Sequence, residues 1–345
     1  MDPTKTNLLG LNLNELEDYL QGIGEKRFHG RQVFSWIYRK GARSLEEMTD
    51  LSKGLREKLK ETATIEAIAE HRSTRSKLDG TEKFLWKLSD GEKIESVLIP
   101  DEGRLTLCLS TQVGCPLDCR FCATATVGFR RNLTPGEIIS QLLKVQDRPL
   151  TNLVFMGMGE PLLNYDNLLK SIGIMASDLG PNFSAKKITV STVGIVPGIY
   201  RLAEEGLKLG LAISLNAPDD ELRSQIMPVN RKYPLKELLR AAKFYAEKTG
   251  QRITFEYVLI GGVSDSLECA KKLSTIIQGI PCKVNLIRFN PGRNQTYRAP
   301  QEAKVIGFRD YLYPRAPAVT LRESKGADIL AACGQLRAAE DDYAA

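Results

Sequence analysis

The sequence has no uncharged apolar run approaching the roughly 18 residues of a membrane-spanning helix, so no membrane span is expected. Its start, MDPTKTNLLGLNLNELEDYL, lacks a basic-then-apolar layout and carries Glu15, Glu17 and Asp18, so it does not read as a secretory signal. The cytoplasm is the expected compartment. It has no low-complexity segment and no short-period repeat. Its cysteines number seven, an odd count that, without an export signal, argues against a disulfide framework and for a metal or redox role. What remains is ordinary globular composition, 42% hydrophobic and 26% charged, in 345 residues. That length accommodates a barrel-sized domain and a smaller one.

The net charge of +6 is modest but unevenly placed. RFHGRQVFSWIYRKGAR holds Arg27, Arg31, Arg39, Lys40 and Arg43 with no acid, and HRSTRSK adds Arg72, Arg75 and Lys77. Basic clusters interleaved with Phe28, Phe34, Trp36 and Tyr38 suit a phosphate backbone and stacked bases. The same pattern also fits a solvated helix face whose aromatics belong to the core.

Residues 1–75 read as helical, over Leu13–Leu20, Gly30–Arg39 and Leu45–Lys60. Glu82–Leu88 and Lys93–Pro100 flank Ser-Asp-Gly-Glu, a hairpin signal that predicts a linker over 76–102. From 103 to 299, six β-rich runs alternate with amphipathic helical segments. The runs are Leu105–Ser110, Asn152–Gly157, Lys187–Thr192, Leu209–Asn216, Ile253–Ile260 and Lys283–Phe289. The helical segments are Pro135–Gln146, Tyr165–Ser177, Pro197–Glu205, Leu235–Thr249 and Leu267–Gln278. Six strand–helix units predict a parallel sheet that curls into an open, partial (β/α)6 barrel of TIM type. A C-terminal extension over 300–345 contains Pro300–Tyr313 and a strand at Val319–Arg322. In such a fold the site lies at the carboxyl ends of the strands.

Cys115, Cys119 and Cys122 follow the first of these strands in GCPLDCRFC. A structural zinc site usually takes four ligands, commonly two C-x-x-C pairs, and no second pair is present. Three thiolates on a tight loop can instead hold three irons of a cubane cluster, leaving the fourth iron for a ligand that is not protein. Gly157-Met158-Gly159-Glu160-Pro161 follows the second strand, where glycines permit close approach of a ligand and Glu160 can accept from an ammonium group. Ser191, Ser214-Leu215-Asn216 and Asn290 fall at later strand ends, where they could position parts of a nucleoside cofactor.

C-x3-C-x2-C with Phe121 before the last cysteine resembles the signature of the radical S-adenosylmethionine (SAM) superfamily. The resemblance implies a [4Fe–4S] cluster on Cys115, Cys119 and Cys122, with SAM on the open iron and cleaved to a 5′-deoxyadenosyl radical. It also implies SAM contacts from Gly159, Glu160, Ser191, Ser214, Leu215, Asn216 and Asn290.

More of the chain resembles one branch, the radical SAM RNA adenine methyltransferases of the RlmN/Cfr type, and within it the adenine-C2 enzymes. The match is carried by Ile94-Glu95-Ser96-Val97, Cys108 with Gln112-Val113-Gly114-Cys115, and Gly128-Phe129-Arg130-Arg131-Asn132-Leu133. It continues through Pro228-Val229-Asn230, Asn290-Pro291 and Ala331-Ala332-Cys333-Gly334-Gln335-Leu336. On their own, Cys108 and Cys333 read as small buried hydrophobes and Glu95 as an exposed edge residue. The resemblance implies that Cys333 carries a methyl group from one SAM, and that a radical from a second SAM activates it toward C2 of adenine. It further implies that Glu95 removes the C2 proton and Cys108 releases product by forming a disulfide with Cys333. The implied substrates are 23S rRNA and tRNA position 37, and the implied form is a monomer fed by an external flavodoxin-type reductant. Arg27, Arg31, Arg39, Lys40, Arg72, Arg75, Arg130 and Arg131 become candidate RNA contacts. Two positions depart from the pattern: Asn216 stands where histidine is usual, and Lys325 where arginine is expected, without its bidentate fork.

Adenine C2 is electron-poor, so direct methyl displacement from SAM cannot occur there, and resolution requires a second thiol. Rival readings are an adenine-C8 methyltransferase, a non-catalytic iron–sulfur RNA-binding protein, and a radical SAM enzyme acting on a small molecule.

Overall fold

The computed structural model of the chain describes residues 5–291 and 296–343. Helices α1 (Leu13–Gly22), α2 (His29–Tyr38) and α3 (Lys53–Thr62) form the N-terminal region. Asn12 starts α1 with a reciprocal capping box to Glu15, and Ser52 caps α3 through the Leu55 amide. The helix expected over Leu45–Lys60 is therefore two pieces, a 3-10 turn at Leu45–Glu47 and then α3. Thr6–Asn7 pairs in parallel with Ala63–Thr64, tying the two ends of this region together.

Ten strands make one open sheet whose spatial order follows the chain. They are β1 (Ala69–Arg75), β2 (Glu82–Lys87), β3 (Lys93–Asp101), β4 (Arg104–Cys108) and β5 (Asn152–Phe155). They continue as β6 (Ile188–Thr192), β7 (Gly210–Ser214), β8 (Ile253–Leu259), β9 (Cys282–Arg288) and β10 (Val319–Arg322). Strand β4 is the junction: Cys108 pairs with Val97 across an antiparallel ladder and with Val154 across a parallel one. The six expected parallel strands are β4 to β9, and β10 joins them as a seventh, with Arg322 opposite Ile287.

The hairpin forms as expected, Lys87 opposite Lys93, but it belongs to the sheet rather than bridging two bodies. Strand β1 lies inside the stretch read as helical. Its sequence, AEHRSTR, has no apolar alternation and is exposed along almost all its length, as an edge strand allows.

Helices α4 (Ala123–Val127), α5 (Pro135–Leu143), α6 (Tyr165–Ala176) and α7 (Val196–Glu204) follow successive strands or loops. So do α8 (Asp220–Ile226), α9 (Leu235–Thr249), α10 (Leu267–Ile276) and α11 (Glu302–Leu312). Thr134 and Glu137 close a capping box on α5, with Pro135 at its first position. One hydrophobic core runs from Leu8 to Leu336 and includes both the N-terminal helices and the sheet. The close approach of Gly10 to Gly136 makes this contact: a Cβ on Gly10 would lie 2.4 Å from the Gly136 nitrogen. Among the described residues no helix is long and apolar enough to cross a membrane.

Candidate active site at the carboxyl ends of the parallel strands

Two adjoining cavities open at this rim. The first has an empty volume of about 1040 Å³ counted out to its mouth, a size suited to a nucleoside cofactor. All three triplet cysteines line it, as do Gly159, Glu160, Ser191, Ser214, Asn216 and Asn290. The cysteine loop is an excursion from a short antiparallel ribbon, Gln112–Val113 with Arg131–Asn132. Burial pushes the Cys115 thiol up to about 12, and burial followed by the neighbouring Cys122 and Cys115 raises Cys119. Among the described residues no three His, Cys, Asp or Glu side chains are placed to share a single ion. A cluster whose irons each take one thiolate needs no such convergence. The donor set, three thiols on one cavity wall, fits such a cluster.

Glu160 is 2% exposed, and burial pushes its carboxyl up to about 7 despite opposing hydrogen bonds. Its oxygens accept from the Leu162 amide at 3.0 Å and the Val193 amide at 2.9 Å, which fixes the group toward the cavity. The glycines beside it serve the protein as much as a ligand. A Cβ on Gly157 would lie 2.6 Å from Ser110 Oγ, and one on Gly159 2.5 Å from Gln112 Cβ.

Leu215 departs from expectation: its side chain is fully buried and lines neither cavity. Asn216 adopts φ of 59°, a left-handed conformation that asparagine tolerates. Its Oδ1 accepts from the Val258 amide at 3.0 Å and its Nδ2 reaches Met227 Sδ at 3.4 Å. The amide thus braces the rim where it also lines the cavity.

The second cavity contains Cys108, Val97, Ile99, Ala331, Ala332 and Lys325. Cys333, Asn290 and Arg322 line both. Cys108 is 7% exposed at the end of β4; burial, then the neighbouring Cys333 thiol, pushes it up to about 12, and Arg322 opposes this. Cys333 itself is exposed. Its loop is tied to the triplet, because the Ala123 amide donates to Gly334 O at 2.7 Å and Thr124 Oγ1 to Leu336 O at 2.6 Å. Gln335 steadies the loop through Pro291 O at 3.1 Å.

Glu95 is not at an exposed edge. It is fully buried, ion-paired with the equally buried Lys83 at 3.2 Å, and lines neither cavity. The carboxylate accepts from the Arg337 and Ala338 amides at 2.8 and 2.9 Å and from Tyr343 OH at 2.7 Å. Its backbone is locked as well, since Ser110 Oγ donates to Glu95 O at 2.6 Å and accepts from the Met158 amide at 2.8 Å.

Two wall residues, Glu256 and Arg322, and the buried Arg223, which lines neither cavity, were singled out by no motif. Glu256 is 6% exposed with its Oε2 unpartnered, and burial raises its carboxyl. Arg322, held charged mainly by Cys333, stands between the two cavities. Arg223 is fully buried and donates to Leu215 O, Val193 O and Asn230 Oδ1, joining two strand ends. Its partners Leu215 and Asn230 lie inside recognised runs, Ser214-Leu215-Asn216 and Pro228-Val229-Asn230, whereas Arg223 does not.

The candidate RNA contacts divide. Arg27 pairs with Glu17 and Asp18, Lys40 with Asp50 and the Trp36 ring, and Arg75 with Glu82. Arg131 is paired with Asp90 at 2.6 Å and Glu137 at 2.8 Å, so a phosphate reaching it would compete with two carboxylates. Arg31, Arg39, Arg72 and Arg130 are exposed and pair with no acid among the described residues. Phe34 and Tyr38 are core residues; of the four interleaved aromatics Phe28 is the largely exposed one, at 53%.

Residues 6–65 match the family model "Ribosomal RNA large subunit methyltransferase N-terminal domain", and 109–272 match "Radical SAM superfamily". The chain is 49% identical to a dual-specificity RNA methyltransferase RlmN of Geobacter sulfurreducens, over 97% of this chain and 92% of that one. It is 48% identical to an RlmN of Anaeromyxobacter dehalogenans, over 96% and 92% respectively. A crystal structure of a radical SAM methyltransferase from Sphaerobacter thermophilus superposes with a TM-score of 0.92 at 43% identity, covering 97% of this chain and 100% of that one. On a partial barrel with three cysteines on its rim, these full-length similarities place the chain in the RlmN family of radical SAM RNA methyltransferases.

Proposed function

We propose that the chain methylates C2 of adenine in 23S rRNA and at tRNA position 37, with Cys333 carrying the methyl group as S-methylcysteine. The observation that carries this reading is that Cys333 and Cys122 line both cavities, with Cys115 and Cys119 in the first and Cys108 in the second. Radical SAM family membership brings a [4Fe–4S] cluster and SAM. Cys115, Cys119 and Cys122 would hold the cluster, and Gly159, Glu160, Ser191, Ser214, Asn216 and Asn290 would line the SAM site. When bound, the cluster supplies the electron that cleaves SAM to a 5′-deoxyadenosyl radical.

The chain's own residues do the rest. The Cys333 thiolate takes a methyl group from a first SAM, giving a thioether and S-adenosylhomocysteine. Hydrogen loss from that methyl, to the radical from a second SAM, lets its carbon bond to C2. Glu95 accepts the C2 proton, and the surplus electron returns to the redox centre. The Cys108 thiolate then attacks Cys333 Sγ, the S–CH2 bond breaks, a disulfide forms and the released carbon takes a proton. A flavodoxin-type donor would supply the external electrons. An external dithiol reductant returns the disulfide to two thiols by exchange and is itself oxidised to a disulfide, and a monomer suffices because both cavities lie in one chain.

The match of residues 6–65 to the RlmN N-terminal model favours C2 over C8. The test is anaerobic reconstitution with rRNA and tRNA, nuclease digestion and mass spectrometry of the nucleosides. Wild type is expected to give 2-methyladenosine and Cys333→Ala none. Product from Cys333→Ala at the wild-type level, or 8-methyladenosine alone, would overturn the assignment.

A further inference from the structure

The segment after Cys333 folds back over the carboxylate read as the base. Arg337 clasps Asp341 and Asp342 at 2.7 and 2.8 Å, which holds a 3-10 turn at Glu340–Tyr343. From one end of that turn Tyr343 OH donates to Glu95 Oε1, and the Arg337 and Ala338 amides just before it donate to Oε2. Lys83 completes the set on Oε1. Three hydrogen-bond donors and an ammonium at 3.2 Å leave this carboxylate little acceptor capacity for a substrate proton. From the other end Glu340 pairs with Lys93 of β3 and, at 3.2 Å, with His71 of β1.

We propose that the tail segment Arg337–Tyr343, which ends in the acidic turn, is a strap seated through Glu340 on an RNA phosphate site formed by His71 and Lys93, and that RNA displaces the segment and so takes its three donors from Glu95. The second half of this statement rests on the reading of Glu95 as the base. The occupant identifies the ligand chemistry: a carboxylate already sits on the two basic groups, and a phosphate offers the same charge with more acceptor oxygens. The surroundings agree, since β1 is an exposed edge strand that also presents Arg72 and Arg75. The outer attachment is weak enough to exchange, because Glu340 is 49% exposed and such pairs are worth little. Glu340 and Tyr343 belong to one four-residue turn, so lifting the first carries the second from Glu95.

Hydrogen exchange of the anaerobically reconstituted full chain, with and without a tRNA transcript, reads the strap directly. RNA is expected to speed exchange at Arg337, Ala338 and Glu340–Tyr343. Glu340→Gln, an exposed substitution, is expected to bind that tRNA about two- to fivefold tighter at low salt, with the gain fading as salt rises. Unchanged protection with RNA bound, or no gain in Glu340→Gln, overturns the proposal. Methylation by Glu95→Gln is scored separately. Full activity there removes the base assignment, while the exchange measurement, which needs no turnover, still decides the strap.

Discussion

The two adjoining cavities are walled by opposite kinds of structure. The first is framed by strand ends of the parallel sheet, each bringing its polar residue directly from the strand before it. The second meets antiparallel strands and a returning tail, and Glu95, which lines neither cavity, takes its hydrogen-bond donors from 242 to 248 residues away. The parallel rim opens onto the first cavity, which Glu160 and Asn290 line. On the antiparallel side, the carboxylate is shut away behind an ion pair and a tail. The rim residues follow their own strands directly, whereas the surroundings of Glu95 and Cys333 are completed only when the chain's end has docked.

The comparison is tested hardest at Lys83. Lys83→Met leaves Glu95 buried without its ammonium and is expected to destabilise the chain by about 3–5 kcal/mol in denaturant unfolding. Lys83→Met with Glu95→Leu should recover only part of that loss, because the uncompensated charge is gone but the Arg337 and Ala338 amides and Tyr343 OH lose their acceptor. A loss below about 1 kcal/mol in the single variant would show that the tail donors, rather than Lys83, hold the carboxylate.

On the open rim the corresponding residue is Glu160, buried without a cation. Its carboxyl rises from 4.5 to about 7, so the folded chain keeps that proton to higher pH than the unfolded chain. The stability it contributes is whole below 4.5 and is lost as pH rises through about 7, a change of about 3 kcal/mol in the cofactor-free chain. Glu160→Gln should therefore be more stable than wild type at pH 8, equal to it near pH 4, and unable to retain SAM. Unfolding at both pH values and SAM binding by calorimetry check each part. A Gln variant no more stable at pH 8 would mean that the amides of Leu162 and Val193 already compensate the buried charge.

What was legible in the sequence follows the same division. Strands β4 to β9 and helices α5 to α7, α9 and α10 fall where alternating period-2 and helical patterns put them, because each buries a face set by its own residues. The rim residues were legible because they follow those strands directly. Strand β1 was missed since an exposed polar edge has no apolar alternation to read. Motif likeness supplied Glu95, but not its burial, because Lys83 and Tyr343 reach it from strands and tail that no local pattern connects. Arg322 and Glu256 escaped for a related reason: each is a polar residue within a strand whose inward direction depends on the curl of the sheet. Leu215 was included for its place in a motif, although only its backbone serves the rim, accepting from Arg223 and donating to Glu256 O.

The smallest expected effects lie at Arg130 and Arg131, neighbours that sequence alone treats alike. Arg131 joins the β2–β3 turn to the capping box of α5 through Asp90 and Glu137. Arg131→Ala should cost about 1 kcal/mol of stability and leave the salt dependence of RNA binding unchanged. Arg130 is exposed beside the half-exposed Phe129, and its backbone alone is engaged, the amide donating to Val113 O at 3.0 Å. Arg130→Ala should leave stability within about 0.5 kcal/mol and lower the slope of log K against log salt by about 1. Titrations of one tRNA at several salt concentrations, beside thermal melts, separate the two. If both variants lose the same slope, the ion pairs of Arg131 open on RNA binding, and the cysteine-loop side of the site is as mobile as the tail side.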